Sequence, residues 1–179
     1  MRQLTEMDAV LGPADTGLAQ ARRPETPDVS ELSENESENE SENQGNPGWV
    51  VEISQEDYTA LLKLVEAETS GEDIKGRMLV ANVVLNRLET GRFGASVKEV
   101  IYQRVDGRAQ FSPVGTGKIE RVVVSPETVE AVERVLCGED ESQGALYFAA
   151  RAHANPKNMA WFDRNLTRLF AYHGHEFFI

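Results

Sequence analysis

The segment Glu66 to Glu72 reads EAETSGE and sets three carboxylates within one short stretch. Glu68 falls where a helical pattern ends, so it meets the carbonyl end of a helix dipole, which disfavours negative charge. Partial burial in that corner adds to the effect, because a carboxyl out of water holds its proton more tightly. A carboxylic acid that stays protonated near neutral pH can donate to a leaving oxygen. Glu72 opens the next helical pattern, where the amide end favours the ionised form. Two neighbouring carboxylates with opposite bias form an acid/base arrangement, although acid pairs at helix joints are also ordinary solvated corners.

Other reactive side chains are sparse. His173 and His175 form an H-x-H, and with His153 and Cys137 they are the remaining candidates for a zinc site of an amidase. Histidines satisfied by backbone groups in a hairpin are the plainer expectation. Cys137 reads as a small buried apolar residue. With one cysteine the chain cannot form an internal disulfide. There is no G-x-S-x-G, P-loop or G-x-G-x-x-G, which disfavours serine nucleophiles, nucleotide hydrolysis and dinucleotide binding.

The elements that must hold these groups follow from periodicity. Ser54, with Asp57 three residues on, caps a helix predicted over residues 55–68, on which Tyr58, Leu61, Leu62 and Val65 recur at helical spacing. Ser70 with Asp73 predicts a second helix over 72–89. Its stripe of Ile74, Met78, Ala81, Leu85 and Leu88, widened by Val80, Val83 and Val84, marks it as central. A short helix is expected over 96–102 and a loop-rich stretch over 104–117. A helix opened by Ser125-Pro126-Glu127 and closed at Gly138 follows. Residues 145–150 read as a strand, 155–158 as a turn, and 169–172 with 176–179 as a final hairpin. Ten aromatic residues lie beyond residue 100 and are available for a core or for stacking on sugar faces. The fold class is helix-rich α+β around one core.

Charge divides the chain. Overall it carries 18 Lys+Arg, 30 Asp+Glu and a net charge of −12. Residues 1–49 hold eleven acids against three bases, a net −8, and include the run SENESENESEN at 33–43. Residues 1–48 are therefore expected to be a disordered acidic leader, since nothing in them offsets ordering entropy, and 49–179 to be the folded domain. An acid excess on this scale argues against nucleic-acid binding and against anchoring on anionic lipid. Acids interrupt any apolar core near Met1, so no signal peptide is expected. The longest apolar stretch, Met78 to Leu85, is eight residues and includes Asn82, too short to span a bilayer.

A set of motifs then appears in order: Glu68 to Glu72 (ETSGE), Gly76, and Val80-Ala81-Asn82-Val83-Val84-Leu85-Asn86-Arg87. Val100-Ile101-Tyr102, Gln110-Phe111-Ser112, Tyr147-Phe148 and Gly174-His175-Glu176-Phe177-Phe178 follow. Over residues 58–179 these resemble the spore cortex-lytic cell wall hydrolase family, the SleB/CwlJ type, with its E-A-x-G-E, N-R, V-I-Y, Q-F-S and G-x-H-x-F elements. Thr69 stands where the family usually has alanine, and the loop 104–108 is longer than usual.

The resemblance implies a catalytic domain related to the lysozyme-like transglycosylases, which cleaves peptidoglycan glycan strands of spore cortex rich in muramic-δ-lactam during germination. It uses no cofactor. It implies Glu68 as the catalytic acid and Glu72 as the second acid. Asn86, Gln110, Phe111, Ser112, Tyr147, Phe148 and His175 are expected to contact substrate. The reaction expected is that of a lytic transglycosylase, with a muramidase-type hydrolase and a non-catalytic spore coat or wall-binding protein as alternatives. The lack of a signal peptide and of a wall-binding module is similar to the CwlJ branch. It implies synthesis in the mother-cell cytoplasm and deposition in the outer spore layers, with the acidic leader available to a spore coat partner.

Overall fold

A computed structural model describes residues 48–179; residues 1–47 of the expected acidic leader lie outside the described residues. Helix α1 (Gln55–Glu68) begins at Ser54, whose hydroxyl accepts from the Asp57 amide at 3.1 Å, as the capping pattern predicts. Helix α2 (Ile74–Thr90) follows after a tight turn at Gly71. Met78, Leu79, Val80, Ala81, Val83 and Val84 are all buried, which makes α2 the central element. It packs chiefly on α5 (Pro126–Leu136), whose Ala131, Val132, Val135 and Leu136 are buried, and on α1 through Leu61, Leu64 and Val65. The short α3 (Val97–Tyr102) leans on α1 and α2.

The start of α2 differs from expectation. Its cap is Asp73, whose carboxylate accepts from the Gly76 amide at 2.9 Å, and the helix begins two residues later than predicted. Glu72 therefore precedes the helix instead of occupying its first turn. Asp73 also accepts a hydrogen bond at 2.6 Å from the Tyr172 hydroxyl, which fastens the C-terminal hairpin to this corner. An Asp73→Ala substitution removes both bonds and is expected to cost about 1–2 kcal/mol, seen as a lower urea midpoint.

The region read as loop contains small elements. Strands β1 (Arg104–Val105) and β2 (Arg108–Ala109) pair antiparallel. Helix α4 (Ser112–Gly115) and a 3-10 turn (Lys118–Glu120) lead towards α5. Residues 155–158 do not form an isolated turn; they open α6 (Pro156–Asn165), with Asn155 as cap and Pro156 in the first turn. The same Asn-Pro pair serves both structures, and only the burial of Met159 and Phe162 against the sheet selects the helix.

The sheet has order β3–β5–β4, all antiparallel, from β3 (Tyr147–Ala149), β4 (Arg168–Tyr172) and β5 (His175–Phe178). The β4–β5 turn is His173-Gly174, both at positive φ (43° and 84°), the two-residue geometry that matches strand twist. It sets Tyr172 opposite His175 and so delivers both to the start of α2. Arg87 is fully buried at the join of helices and sheet. Its Nε donates to the Leu146 carbonyl at 2.7 Å, and its guanidinium lies 4.6 Å from the Phe93 ring and 5.1 Å from those of Phe111 and Tyr147.

Candidate active site

Helix α1 ends on the acid singled out by the sequence. Two residues earlier, Glu66 binds that last turn to the rest of the core. Its carboxylate accepts from the Ser125 amide (3.0 Å), the Ser125 hydroxyl (2.6 Å) and the Thr128 hydroxyl (2.6 Å), and pairs with Arg77 at 3.2 Å. Burial opposes the charge on Glu66. Hydrogen bonds from Ser125 and Thr128, with the Arg77 charge, outweigh burial and hold the carboxyl below the usual range. Thr69 closes the helix, its hydroxyl donating to the Val65 carbonyl at 2.6 Å.

Glu68 itself is 7% exposed, and its Oε1 has no hydrogen-bond partner. Burial pushes its carboxyl up to about 8; the charge of Lys118 opposes this and that of Glu72 adds to it. Such a group is a protonated acid at neutral pH, able to give its proton to a basic oxygen. Lys118, on the 3-10 turn, reaches this corner and donates to the Ala67 carbonyl at the end of α1. There it supplies the cation that a helix C-terminus favours.

Glu72 lies in the same corner. Its side chain is 16% exposed, and its Oε1 sits 3.1 Å from Nδ1 of the buried His175. Its other oxygen lies over Gly76, where a Cβ would come within 2.2 Å of it. The corner thus draws on α1, the α1–α2 turn, the 3-10 turn and the C-terminal strand. Lys118 carried no role in the sequence reading, and Gly76 entered it only as a residue of the family motif. Lys118 is remote in sequence from Glu68 and has no periodic signature, and a glycine near a helix start is common.

The remaining residues expected at the site are placed otherwise. Phe111 (0% exposed), Phe148 (2%), Tyr147 (6%) and Gln110 (1%) are core residues and present no face to a sugar ring. Phe148 stacks edge-on against His175 at 5.7 Å, and Tyr147 packs on Phe93, Trp161 and Phe162. Their aromatic character marks them equally for core and for stacking, and burial decides for the core. Ser112 is the first residue of α4 and half-buried. Asn86 donates to the Ser142 hydroxyl (2.8 Å) and the Ala145 carbonyl (3.0 Å). It faces a cavity of about 500 Å³ with Val50, Leu85 and Asp140 towards the far end of α2, a region lined by none of the acidic-corner residues. His175 is in the corner, but its Nδ1 faces Glu72.

His153 and His173 are exposed and His175 is buried. Among the described residues no group of three or more His, Cys, Asp or Glu is placed to hold a metal ion, so the amidase reading finds no ligand set. Cys137 is exposed at the end of α5, contrary to its apolar reading, because the helix terminates there and turns it out of the core. No helix among the described residues is long and apolar enough to cross a membrane.

Comparison with known proteins gives a consistent result. The sequence model of the Cell Wall Hydrolase family matches residues 71–178, a span that begins just after Glu68. A spore cortex-lytic enzyme of Bacillus subtilis (strain 168) is 35% identical over 97 residues, 54% of this chain and 30% of the relative. One from Oceanobacillus iheyensis is 36% identical over 95 residues, 53% of this chain and 33% of the relative. The chain thus spans about a third of the length of these curated relatives. The solved catalytic domain of the germination-specific lytic transglycosylase SleB from Bacillus anthracis superposes with a TM-score of 0.60 at 26% identity, covering 71% of this chain and 97% of that one. The SleB catalytic domain from Bacillus cereus gives the same score and identity over 76% of this chain and 99% of that one.

Proposed function

Because the chain belongs to the cell wall hydrolase family, we propose that its folded part cleaves the glycan strands of peptidoglycan, with Glu68 as proton donor and then as base. The observation that carries this is the Glu68 carboxyl, buried, unpartnered at Oε1 and protonated up to about pH 8. The cost of burying it without a partner makes sense for a group whose proton is to be given away.

In the reaction, Glu68 gives its proton to the glycosidic oxygen as the C1–O bond breaks. The carboxylate left behind takes the proton of the 6-hydroxyl on the same muramic residue. That oxygen closes on C1 and leaves a 1,6-anhydro end. Lys118 stabilises the transient carboxylate, because a nearby cation lowers the cost of the charge. One acid suffices for this cycle. Glu72 supplies a second carboxylate close by, which supports a muramidase-type hydrolysis as the other reading, since that chemistry needs two.

Mass spectrometry of products from isolated cortex separates the two: anhydro ends for the transglycosylase, reducing ends for the hydrolase. Absence of any cleaved glycan overturns both and leaves a wall-binding or coat protein. The cortex substrate and a spore location follow the relatives' role, and a spore coat partner for the acidic leader is part of the same proposal. The pH profile is a further prediction. Donation requires the protonated form, so kcat is expected to hold through pH 7 and to fall tenfold per unit above about pH 8. A descending limb near pH 4–5 would show that the acid titrates as an ordinary glutamate and would overturn the raised value on which this reading rests.

A further inference from the structure

The second acid of the corner is held in an unusual way. Glu72 precedes the Asp73 cap of α2 and so lies outside the helix. Here it is folded back over Gly76. A Cβ at Gly76 would lie 2.2 Å from Glu72 Oε2, 3.1 Å from its Cβ and 3.2 Å from its carboxyl carbon. Contacts under 3 Å are not tolerated, so the carboxylate occupies the space that a side chain at Gly76 would take. From the other side, the His175 ring stands 3.1 Å from Oε1. That ring is 6% exposed and wedged edge-on against Phe148, so it cannot swing away without disturbing the sheet. The hairpin that carries it is fastened at its tip, where the Tyr172 hydroxyl donates to Asp73 at 2.6 Å.

We propose that His175 and Gly76 act together as positioning residues, holding the Glu72 carboxylate beside Glu68 as a fixed negative charge. The inference deepens the functional reading above and rests on it for its link to catalysis. A carboxylate free to move into water would be screened, and its influence on Glu68 would fall. Fixed in the corner, it adds to burial, the main cause, in holding the proton on Glu68 and works against the charge of Lys118. Lys118 is the opposing charge on Glu68. The groups around Glu72 itself are His175 on β5 and, at the neighbouring Asp73, Tyr172, His173 and Lys75. Sequence alone places Gly76 and His175 at opposite ends of the domain, and only the antiparallel hairpin brings the second to the first.

The test uses the full chain with glutamate carrying ¹³C at the carboxyl. The Glu68 resonance is the one missing from E68Q, and its titration reads the proton directly, independently of turnover. In the parent the midpoint is expected near 8. In E72Q it should fall by about one pH unit, roughly a tenfold loss of proton affinity, as expected when a like charge that acts on the group is removed. G76A changes no charge but evicts the Glu72 carboxylate, and H175A removes the contact at Oε1; both should move the midpoint in the same direction. Neither G76A nor H175A should add to the shift when combined with E72Q. The alkaline limb of kcat should move to lower pH in parallel.

A Glu68 midpoint left at its parental value in folded G76A and H175A would overturn the proposal, as would shifts that add fully to that of E72Q. If G76A does not fold, H175N carries the same comparison, since it shortens the reach while keeping the position polar. The two readings fail separately. An active E68Q removes Glu68 as the acid, whereas an inactive E68Q with an unmoved midpoint in G76A and H175A removes only the positioning role.

Discussion

Replacing Glu68 by glutamine is expected to lower glycan cleavage by about 10²–10⁴-fold while far-UV circular dichroism stays that of the parent. The substitution keeps volume and shape, so the loss reports on the proton. Stability should move the other way. The parent carboxyl binds its proton more tightly folded than unfolded, with a folded value of about 8 against 4.5. Between those values the folded state holds more protons than the unfolded one, so stability decreases as pH rises through the window. The amide cannot ionise and escapes this cost. E68Q should therefore match the parent near pH 5 and melt at higher temperature near pH 8, by an amount on the order of a few kcal/mol at most. Loss of activity with gain of alkaline stability is the signature of a group kept for chemistry at the expense of the fold. A variant that cleaves normally would end the assignment, and one that is less stable at pH 8 would show that Glu68 is ionised at rest.

The largest expected effect on folding comes from Glu66→Ala. Glu66 and Arg77 are both almost enclosed, with side chains 12% and 7% exposed, and Ser125 and Thr128 direct three hydrogen bonds at the same oxygen. Removing the carboxylate leaves the Arg77 charge buried without its anion, which costs about 3–5 kcal/mol. Chemical denaturation at pH 7 should read a drop of that order. Because the folded Glu66 carboxyl sits below its unfolded value of 4.5, its contribution is present above that value and is lost as pH falls through the folded one. The gap between parent and E66A should then narrow in acid. Activity should fall as well, since the same bonds fix the last turn of α1 beneath Glu68.

The local record was readable where one short stretch settles the outcome. Ser54 and Ser125 each cap the helix they announce, because a cap bond spans three residues. The apolar run of α2 marked the central helix. The Asn155-Pro156 pair was ambiguous, since a turn and a helix start use the same residues, and the sheet beneath resolved it. The Ser70 cap gave way to Asp73, which Tyr172 also holds, and that choice depends on a hairpin far along the chain.

The sequence by itself determined the helix-rich α+β class, the central α2 and the position of Glu68 at a helix end, because capping, periodicity and dipole act within a few residues. Tertiary structure alone decided that Glu68 is buried without a partner, that Lys118 and Glu72 bias it in opposite senses, and that His175 reaches Glu72. It also consigned Phe111, Tyr147 and Phe148 to the core. Burial and charge coupling depend on which distant segments close over a side chain, and local spacing carries no record of that.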